Sequence, residues 1–475
     1  MNSSKENSKA LKSGIWYTLS NFLVKSIGFI TTPIFTRLLS KADFGSYNNF
    51  ISWQSIAVIV VSLNLESTLI SAKYDYEEHF DKYLLSILSL STLSVGIWYI
   101  VSIIFKNTFV TILDMDWLYI KAMFVYLLFH SAIVLFQTKE RFLYRYKSTV
   151  LISMLVAIGT SFLSVLLVLT LKNKLSGRII GSVLPTAVIG LVIYIIFIYK
   201  GKEIDISMWT YTLKICLPYI PHLLSLTLLN SLDRIVITRV CGSEYTALYS
   251  LAYNCGTIVT LLMTSMNTAY SPWLADRIHN GEFKEVKNFS TKYIASFCYL
   301  ALGIMLITPE ILLILGGNSY LDAIYVMPPV AMGCVCQFLY TMHVNIEQLK
   351  KKTVGMALAS ISAAILNYVL NILFIPMWGY KAAAYTTLVG FLWLLLLHML
   401  LVKKLQMSHV YDYKFILITV LIMMGLTMCV NILYSNNIAR YLVIFLYTVF
   451  AVIAGIKNRK ILFQIVEKMK RNREM

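Results

Sequence analysis

An acid and a base stand side by side inside an apolar run long enough to cross a bilayer: Asp233 and Arg234 in "TLLNSLDRIVITRVCG", Thr227 to Gly242. Lys25 is a third such charge. It lies about ten residues into the first apolar run, about 15 Å deep at 1.5 Å per residue. A charge at the centre of a membrane helix costs about 2.5–3.5 kcal/mol on insertion scales. Each of these side chains must therefore face protein or water. Neighbours on a helix point about 100° apart, so Asp233 and Arg234 serve different partners. Arg234 is a candidate phosphate or sugar contact, because its fork matches phosphate oxygens. Lys25 is a candidate cation for the same anionic group. Asp233 is placed to hold Arg234, Lys25 or a coupling cation. A structural bridge between helices is the competing explanation for all three.

Other polar residues in apolar runs extend the set. Glu66 in "SLNLESTL" is the carboxylate of the first half best placed for ion coupling or for holding Lys25. Arg37 and Arg239 sit near the ends of two runs, where each either snorkels to head groups or lines a mouth. Asn230, Asn367 and Asn371 fit sugar hydroxyls or interhelical hydrogen bonds equally well. Pro33, Pro218 and Pro221 remove backbone donors and mark hinges in helices 1 and 7. His130, His222 and His343 read as packing residues before proton relays, Lys121 as an interface lysine, and Glu347 as a helix-end partner of Lys350. The seven cysteines contain no CxxC pair and read as small apolar residues.

The elements that position these residues follow from composition. Of 475 residues, 58% are hydrophobic and only 13% charged. A soluble domain needs about 25% charged residues to cover its surface. The mean hydropathy is +0.71. Apolar runs of about 20 residues recur from end to end, continuous rather than alternating, so the reading is an all-α polytopic membrane protein and not a β-barrel. About fourteen spans result, beginning with 15–38 and 46–70, including 289–315, and ending with 439–456. The longest polar connections fall at 71–82, 272–288 and 403–414. No cleavable leader is expected, because the first apolar run is too long for one.

Lys and Arg fix the direction. With the N-terminus inside, the inner loops collect Lys139, Arg141, Arg145, Lys147, Lys200, Lys202, Lys350, Lys351, Lys352, Lys403 and Lys404, and the tail adds seven more. Both termini are expected to be cytoplasmic. The net charge of +18 then faces anionic lipid and needs no nucleic acid. An internal repeat appears as well. Thr36-Arg37 aligns with Thr238-Arg239, Tyr47 with Tyr249 and Gly177 with Gly379, each at a shift of 202 residues; "YKSTV" resembles "KKKTV" at 204. Six spans per copy keep the copies parallel, which predicts two six-helix bundles around a central cleft plus two appended helices. The expected boundaries are 1–200, 201–404 and 405–475.

Two like-oriented bundles around a cleft suit alternating access. No P-loop exists for an ATP-driven pump, and no clustered acids or histidines for a membrane enzyme. "TRLLSKADFGSYNNF" and "LNSLDRIVITRVCGSEYTALYSLAY" resemble the openings of the two halves of bacterial polysaccharide flippases of the O-antigen, Wzx type. These belong to the multidrug/oligosaccharidyl-lipid/polysaccharide exporter superfamily. The resemblance covers nearly the whole chain. It implies a flippase in the bacterial cytoplasmic (inner) membrane, moving an undecaprenyl-diphosphate-linked oligosaccharide to the outer leaflet with no cofactor and no catalytic residue. It also implies association with the polymerase and chain-length proteins of such a pathway. Substrate binding then falls to Lys25, Arg234, Arg37, Arg239 and Asn230, and coupling to a proton or sodium ion to Asp233 or Glu66. The alternatives are a cation-coupled drug antiporter of the same fold, and a membrane glycosyltransferase or polymerase. The first favours a cleft dominated by carboxylates; the second needs a large extramembrane loop.

Overall fold

The computed structural model describes residues 2–143, 145–350 and 352–457. Fourteen helices of twenty-one residues or more run through them: α1 (Asn2–Leu38), α2 (Lys41–Val61), α3 (Phe80–Ile104), α4 (Trp117–Phe142), α5 (Tyr146–Thr170), α6 (Lys174–Gly201), α7 (Ile220–Cys241), α8 (Ser243–His279), α9 (Phe283–Leu306), α10 (Met327–Leu349), α11 (Thr353–Trp378), α12 (Ala382–Lys404), α13 (Tyr413–Leu433) and α14 (Asn437–Lys457). No strand occurs among the described residues. The all-helical architecture agrees with hydropathy, since a helix satisfies every backbone group inside hydrocarbon, but among the described residues eleven helices, not about fourteen, are long and apolar enough to cross a membrane. The basic tail beyond Lys457, and Lys351, lie outside the described residues.

Several boundaries differ from the hydropathy reading. The run 46–70 is not one helix: α2 stops at Val61, and Leu63 and Asn64 adopt left-handed φ values of 61° and 48°. A 3₁₀ turn (Leu65–Thr68) and a short helix (Leu69–Asp75) follow, so 71–82 is largely helical rather than a loop. The run 289–315 breaks after Leu306, and a separate helix Thr308–Gly316 starts with Pro309 in its first turn, where a missing N–H costs nothing. The expected connection at 272–288 is mostly helix, because α8 continues through Pro272 to His279.

The helix pairings repeat. In the first half α5 packs on α6, α4 on α6 and α1 on α5; in the second α11 packs on α12, α10 on α12 and α7 on α11. The second set is the first moved on by six helices, as a parallel duplication requires. The glycines matched by the repeat do different work. Gly379 ends α11 at φ 72°, whereas Gly177 sits inside α6 where a Cβ would strike the Leu167 carbonyl.

The halves meet at one end of the molecule, the end of the α1–α2 and α7–α8 turns, here called the gate end. There α2 packs on both α7 and α8, and α1 on the helix Thr308–Gly316. Thr36 donates to the Leu315 carbonyl at 2.5 Å and Arg37 to the Ile314 carbonyl at 3.1 Å. The Phe44 ring meets Tyr320 edge-on at 6.3 Å. Phe35, Leu39, Phe44 and Val168 thereby join the apolar core of the second half. The rest of the first half has two smaller cores of its own. Large apolar side chains such as Ile97, Phe162, Leu169 and Ile195 stand exposed on the outer wall, facing where lipid would lie.

Candidate functional site

Below the gate lies a cavity of about 450 Å³. It is bounded by α1, α2, α5 and α6 of the first half and by α8 of the second. Lys25 stands at its wide end, exposed. Arg178 stands at its closed end, among Phe35, Phe44 and Tyr47. The Arg178 guanidinium lies 3.6 Å from the centre of the Phe35 ring and 4.2 Å from that of Tyr47. Its Nε and one terminal nitrogen are buried and have no hydrogen-bond partner. Between the two cations the wall carries Thr31, Thr32, Asn48, Thr160, Ser161, Asn254, Thr257 and Thr260. The cavity is thus cationic and rich in hydroxyls, with no acid among the described residues that line it. Buried charges are normally paired. An unpaired guanidinium held by two aromatic rings is prepared for an anion.

Sequence reasoning missed Arg178. It lies four residues into α6, where an arginine reads as a head-group anchor. The signal that it was more was its neighbour in "LSGRIIGS": a close-packed Gly177 draws α6 against α5, which turns Arg178 inward rather than toward lipid.

Asp233 and Arg234 diverge as adjacent helical residues must. Both are engaged within the second half, and neither lines the cavity of Lys25 and Arg178. Asp233 is fully buried and accepts hydrogen bonds from Tyr249 (2.5 Å), Thr387 (2.6 Å) and Asn371 (2.7 Å). Asn367 and Thr386 continue the network, the latter donating to Asn371. Arg234 turns away: it donates to Ser250 and to the Asn230 carbonyl, with its guanidinium 4.7 Å from the Tyr253 ring centre. Asn230 donates to the Leu226 carbonyl and accepts from Tyr253. The Asp233 network holds five side-chain oxygens besides the carboxylate and, among the described residues, no cation paired to it. A buried carboxylate with this many oxygens about it is chemically able to bind a proton or a small cation.

The remaining candidates are placed as follows. Arg37 secures the gate through carbonyls of its own helix and of the helix Thr308–Gly316. Arg239 borders a second, apolar cavity of about 830 Å³ between α2, α7 and α11, which Pro221 and Trp53 also line. Glu66 lies half-buried in the turn after α2, which packs on the helix Ser207–Cys216. Among the described residues it forms no ion pair with Lys25. Pro33 lies inside α1, Pro218 lies within a 3₁₀ turn, Leu217–Tyr219, that separates a short helix from α7, and Pro221 stands in the first turn of α7. Glu347 departs from expectation. It is buried against His398 at 2.9 Å, not paired with the exposed Lys350.

Two parallel six-helix halves closed at one end, with a polar cavity between them and two further helices, make a fold shared with transporters of the multidrug/oligosaccharidyl-lipid/polysaccharide exporter superfamily. The fold is similar to that of a lipid II flippase in an inward closed conformation, with a TM-score of 0.69, 15% identity, and coverage of 94% of this chain and 100% of that one. It is similar also to an inward-facing multidrug resistance transporter (TM-score 0.62, 13% identity, 81% and 95% covered) and to an outward-facing one (0.54, 13%, 85% and 96%). An uncharacterised membrane protein of Methanocaldococcus jannaschii is 22% identical over 94% of both chains. The sequence profile of the family described as "Polysaccharide biosynthesis protein" matches residues 10–277, and the chain belongs to that family.

Proposed function

We propose that the protein flips an undecaprenyl-diphosphate-linked oligosaccharide from the inner to the outer leaflet of a bacterial cytoplasmic membrane, with both termini cytoplasmic and the gate end outward. The observation that carries this reading is the pair Lys25 and Arg178 in one hydroxyl-lined cavity between the halves. The diphosphate meets Lys25 at the wide end and Arg178 at the closed end in turn, and the first sugars take the threonine, serine and asparagine wall between them, while the prenyl chain stays in lipid. The cavity replaces the water that the head group would lose in hydrocarbon. The lack of acids among its described lining residues speaks against a cationic drug as cargo. The halves 1–200 and 201–404 rock about the gate contacts as the head passes, carrying 405–475 with the second half. Asp233 is the coupling site for a proton or a sodium ion. Better likeness to the inward-facing than to the outward-facing relative supports an inward-facing state for the closed gate.

The test is to replace Lys25 and Arg178 separately by Ala and measure surface polysaccharide at matched protein levels. A charged hydrogen bond is worth about 1.5–3 kcal/mol, so each variant should lose about tenfold to a hundredfold in flipping rate. Wild-type export from both would end the proposal.

A further inference from the structure

A second cluster of acid–base groups lies in the second half, at the end of the molecule away from the gate. Glu347 on α10 is 1% exposed and His398 on α12 is 2% exposed, with His398 Nδ1 and Glu347 Oε1 2.9 Å apart. The other oxygen, Oε2, is buried without a partner. His343, one turn before Glu347 on the same face of α10, is fully buried. Its Nδ1 lies 2.8 Å from the Leu339 carbonyl, which only accepts, so Nδ1 donates and Nε2 is left bare and unpartnered. His222 at the start of α7 lies within electrostatic reach of His398, and the Tyr413 hydroxyl within reach of Glu347. His222 Nδ1 and the Tyr413 hydroxyl are buried and unpartnered too. Three helices, α7, α10 and α13, thus bring three unsatisfied polar atoms near one buried acid–base pair that has an unsatisfied oxygen of its own.

Charge accounting narrows what the cluster does. With Glu347 ionised and His398 neutral it carries one negative charge. Among the described residues no Lys or Arg pairs with Glu347, and the neighbouring Lys350, Lys403 and Lys404 are exposed. The other titratable groups around it are the tyrosines: Tyr340 stacked on His398, Tyr411 donating to the Met342 carbonyl, Tyr270 donating to Tyr411, and Tyr293 stacked on Tyr270. None of these supplies a positive charge. An isolated buried negative charge is costly, and one added proton makes the pair neutral. No group of three or more His, Cys, Asp or Glu among the described residues is arranged to hold a metal ion. The surface is close, because Gln348, Leu349 and Lys350 are exposed.

We propose that Glu347 and His398 form a proton-binding site, separate from Asp233, that holds one exchangeable proton while α7, α10, α12 and α13 are packed together. The proton enters from the end away from the gate. It leaves when α7 swings on the Pro218–Pro221 turn and lets water onto the pair. The site is independent of which cargo the cavity carries.

The experiment uses full-length protein in nanodiscs, taken from about pH 5 to pH 8, the window in which histidines change charge. Released protons are counted with an indicator dye, and carboxyl and imidazole changes are read by infrared difference spectroscopy. Wild type should release about one proton per chain more than either Glu347→Gln or His398→Gln. Both variants should lose the same carboxyl–imidazole signal, and Asp233→Asn should keep it. Glu347→Gln is nearly isosteric and guards against loss of the fold in the histidine variant. Unchanged proton release and spectra in both variants would overturn the proposal. So would loss of the signal in Asp233→Asn, which would make the two sites one.

Discussion

Gly45 is where the gate can be wedged with a single methyl group. It lies on α2, packed on the start of α8. A Cβ added there would stand 2.5 Å from the Ser243 carbonyl carbon, closer still to its oxygen, and 3.1 Å from the Ala247 nitrogen. All three are backbone atoms, so no rotamer change relieves the overlap. Ordinary contact begins near 3.4 Å, so the two helices must part by well over 1 Å to clear the Ser243 oxygen, beyond the range of good van der Waals contact. The neighbouring links of Thr36 to Leu315 and Arg37 to Ile314 weaken with them. Overpacking of this kind costs about 1–3 kcal/mol, which lowers the closed-gate population about fivefold to 150-fold relative to the open one. Local helix propensity acts the other way, since Ala is favoured over Gly in a helix by about 1 kcal/mol. The two effects therefore differ in sign.

The assay places a cysteine at Asn48, which lines the cavity just below the gate. The background has the two unburied cysteines, Cys241 and Cys429, replaced by Ser. A charged, impermeant maleimide is added from the gate side. Gly45→Ala should label Asn48→Cys several-fold faster than the parent. Unchanged labelling together with a raised melting temperature would mean that propensity alone governs the site, and would refute the gate assignment.

Two further outcomes follow from the second half. Asp233→Asn removes a buried charge while keeping an acceptor for Tyr249 and Thr387. It should abolish transport yet leave the melting temperature equal or higher, since replacing buried charges is often neutral or stabilising by about 1–4 kcal/mol. If sodium is the coupling ion, it should raise the wild-type melting temperature but not that of the variant, an effect worth about 2.7 kcal/mol at a hundred times the dissociation constant; a fall of many degrees in salt-free buffer would instead make Asp233 a purely structural residue. Glu310, between spans, receives both terminal nitrogens of Arg440 at 2.7 Å and the Tyr441 hydroxyl at 2.8 Å. The Arg440 hydrogen bonds hold its carboxyl below the ordinary value of 4.5. A depressed carboxyl contributes stability above that value and loses it as pH falls through the lowered one. Thermal stability should therefore drop as pH falls below about 4.5, and the drop should be smaller in Glu310→Gln, which starts from a lower melting temperature because Arg440 is left unpaired; parallel pH curves would contradict this.

The sequence made the long helices legible because hydrocarbon demands long apolar helices, and length alone finds them. The six-helix repeat was legible too, through Thr36-Arg37 and Thr238-Arg239. Breaks inside apolar runs were not. Leu63 and Asn64 carry no glycine to announce a left-handed backbone, and only packing against the helix Ser207–Cys216 makes sense of the turn that follows. Lys25 stood out because a lysine deep in a span has few harmless explanations. Arg178 did not, because an arginine near a helix end has a common one, and the closeness of α5 and α6 that turns it inward is tertiary. The same holds for Glu347: Lys350 is near in sequence, but His398, fifty-one positions away, is near in space.

The placement of charge divides the labour between the halves. The cations of the cavity, Lys25 and Arg178, belong to the first half, and the buried carboxylate Asp233 to the second. Among the described residues no ion pair links them. On the proposed function, direct attraction across the cleft therefore does not make cargo and coupling ion sense each other. The link must be mechanical, through the one region where the halves share a core, the packing of α2 on α7 and α8. Helix α7 is suited to carry it: it runs from the Pro218–Pro221 turn and His222, past Asp233 about 16 Å further on, to the gate at Gly242. Coupling of this kind is reciprocal. A change that loosens the gate, such as Gly45→Ala, should weaken the dependence of cargo binding on the ion by the same factor as the dependence of ion binding on the cargo, whereas loss of either charge site should leave the gate itself able to close.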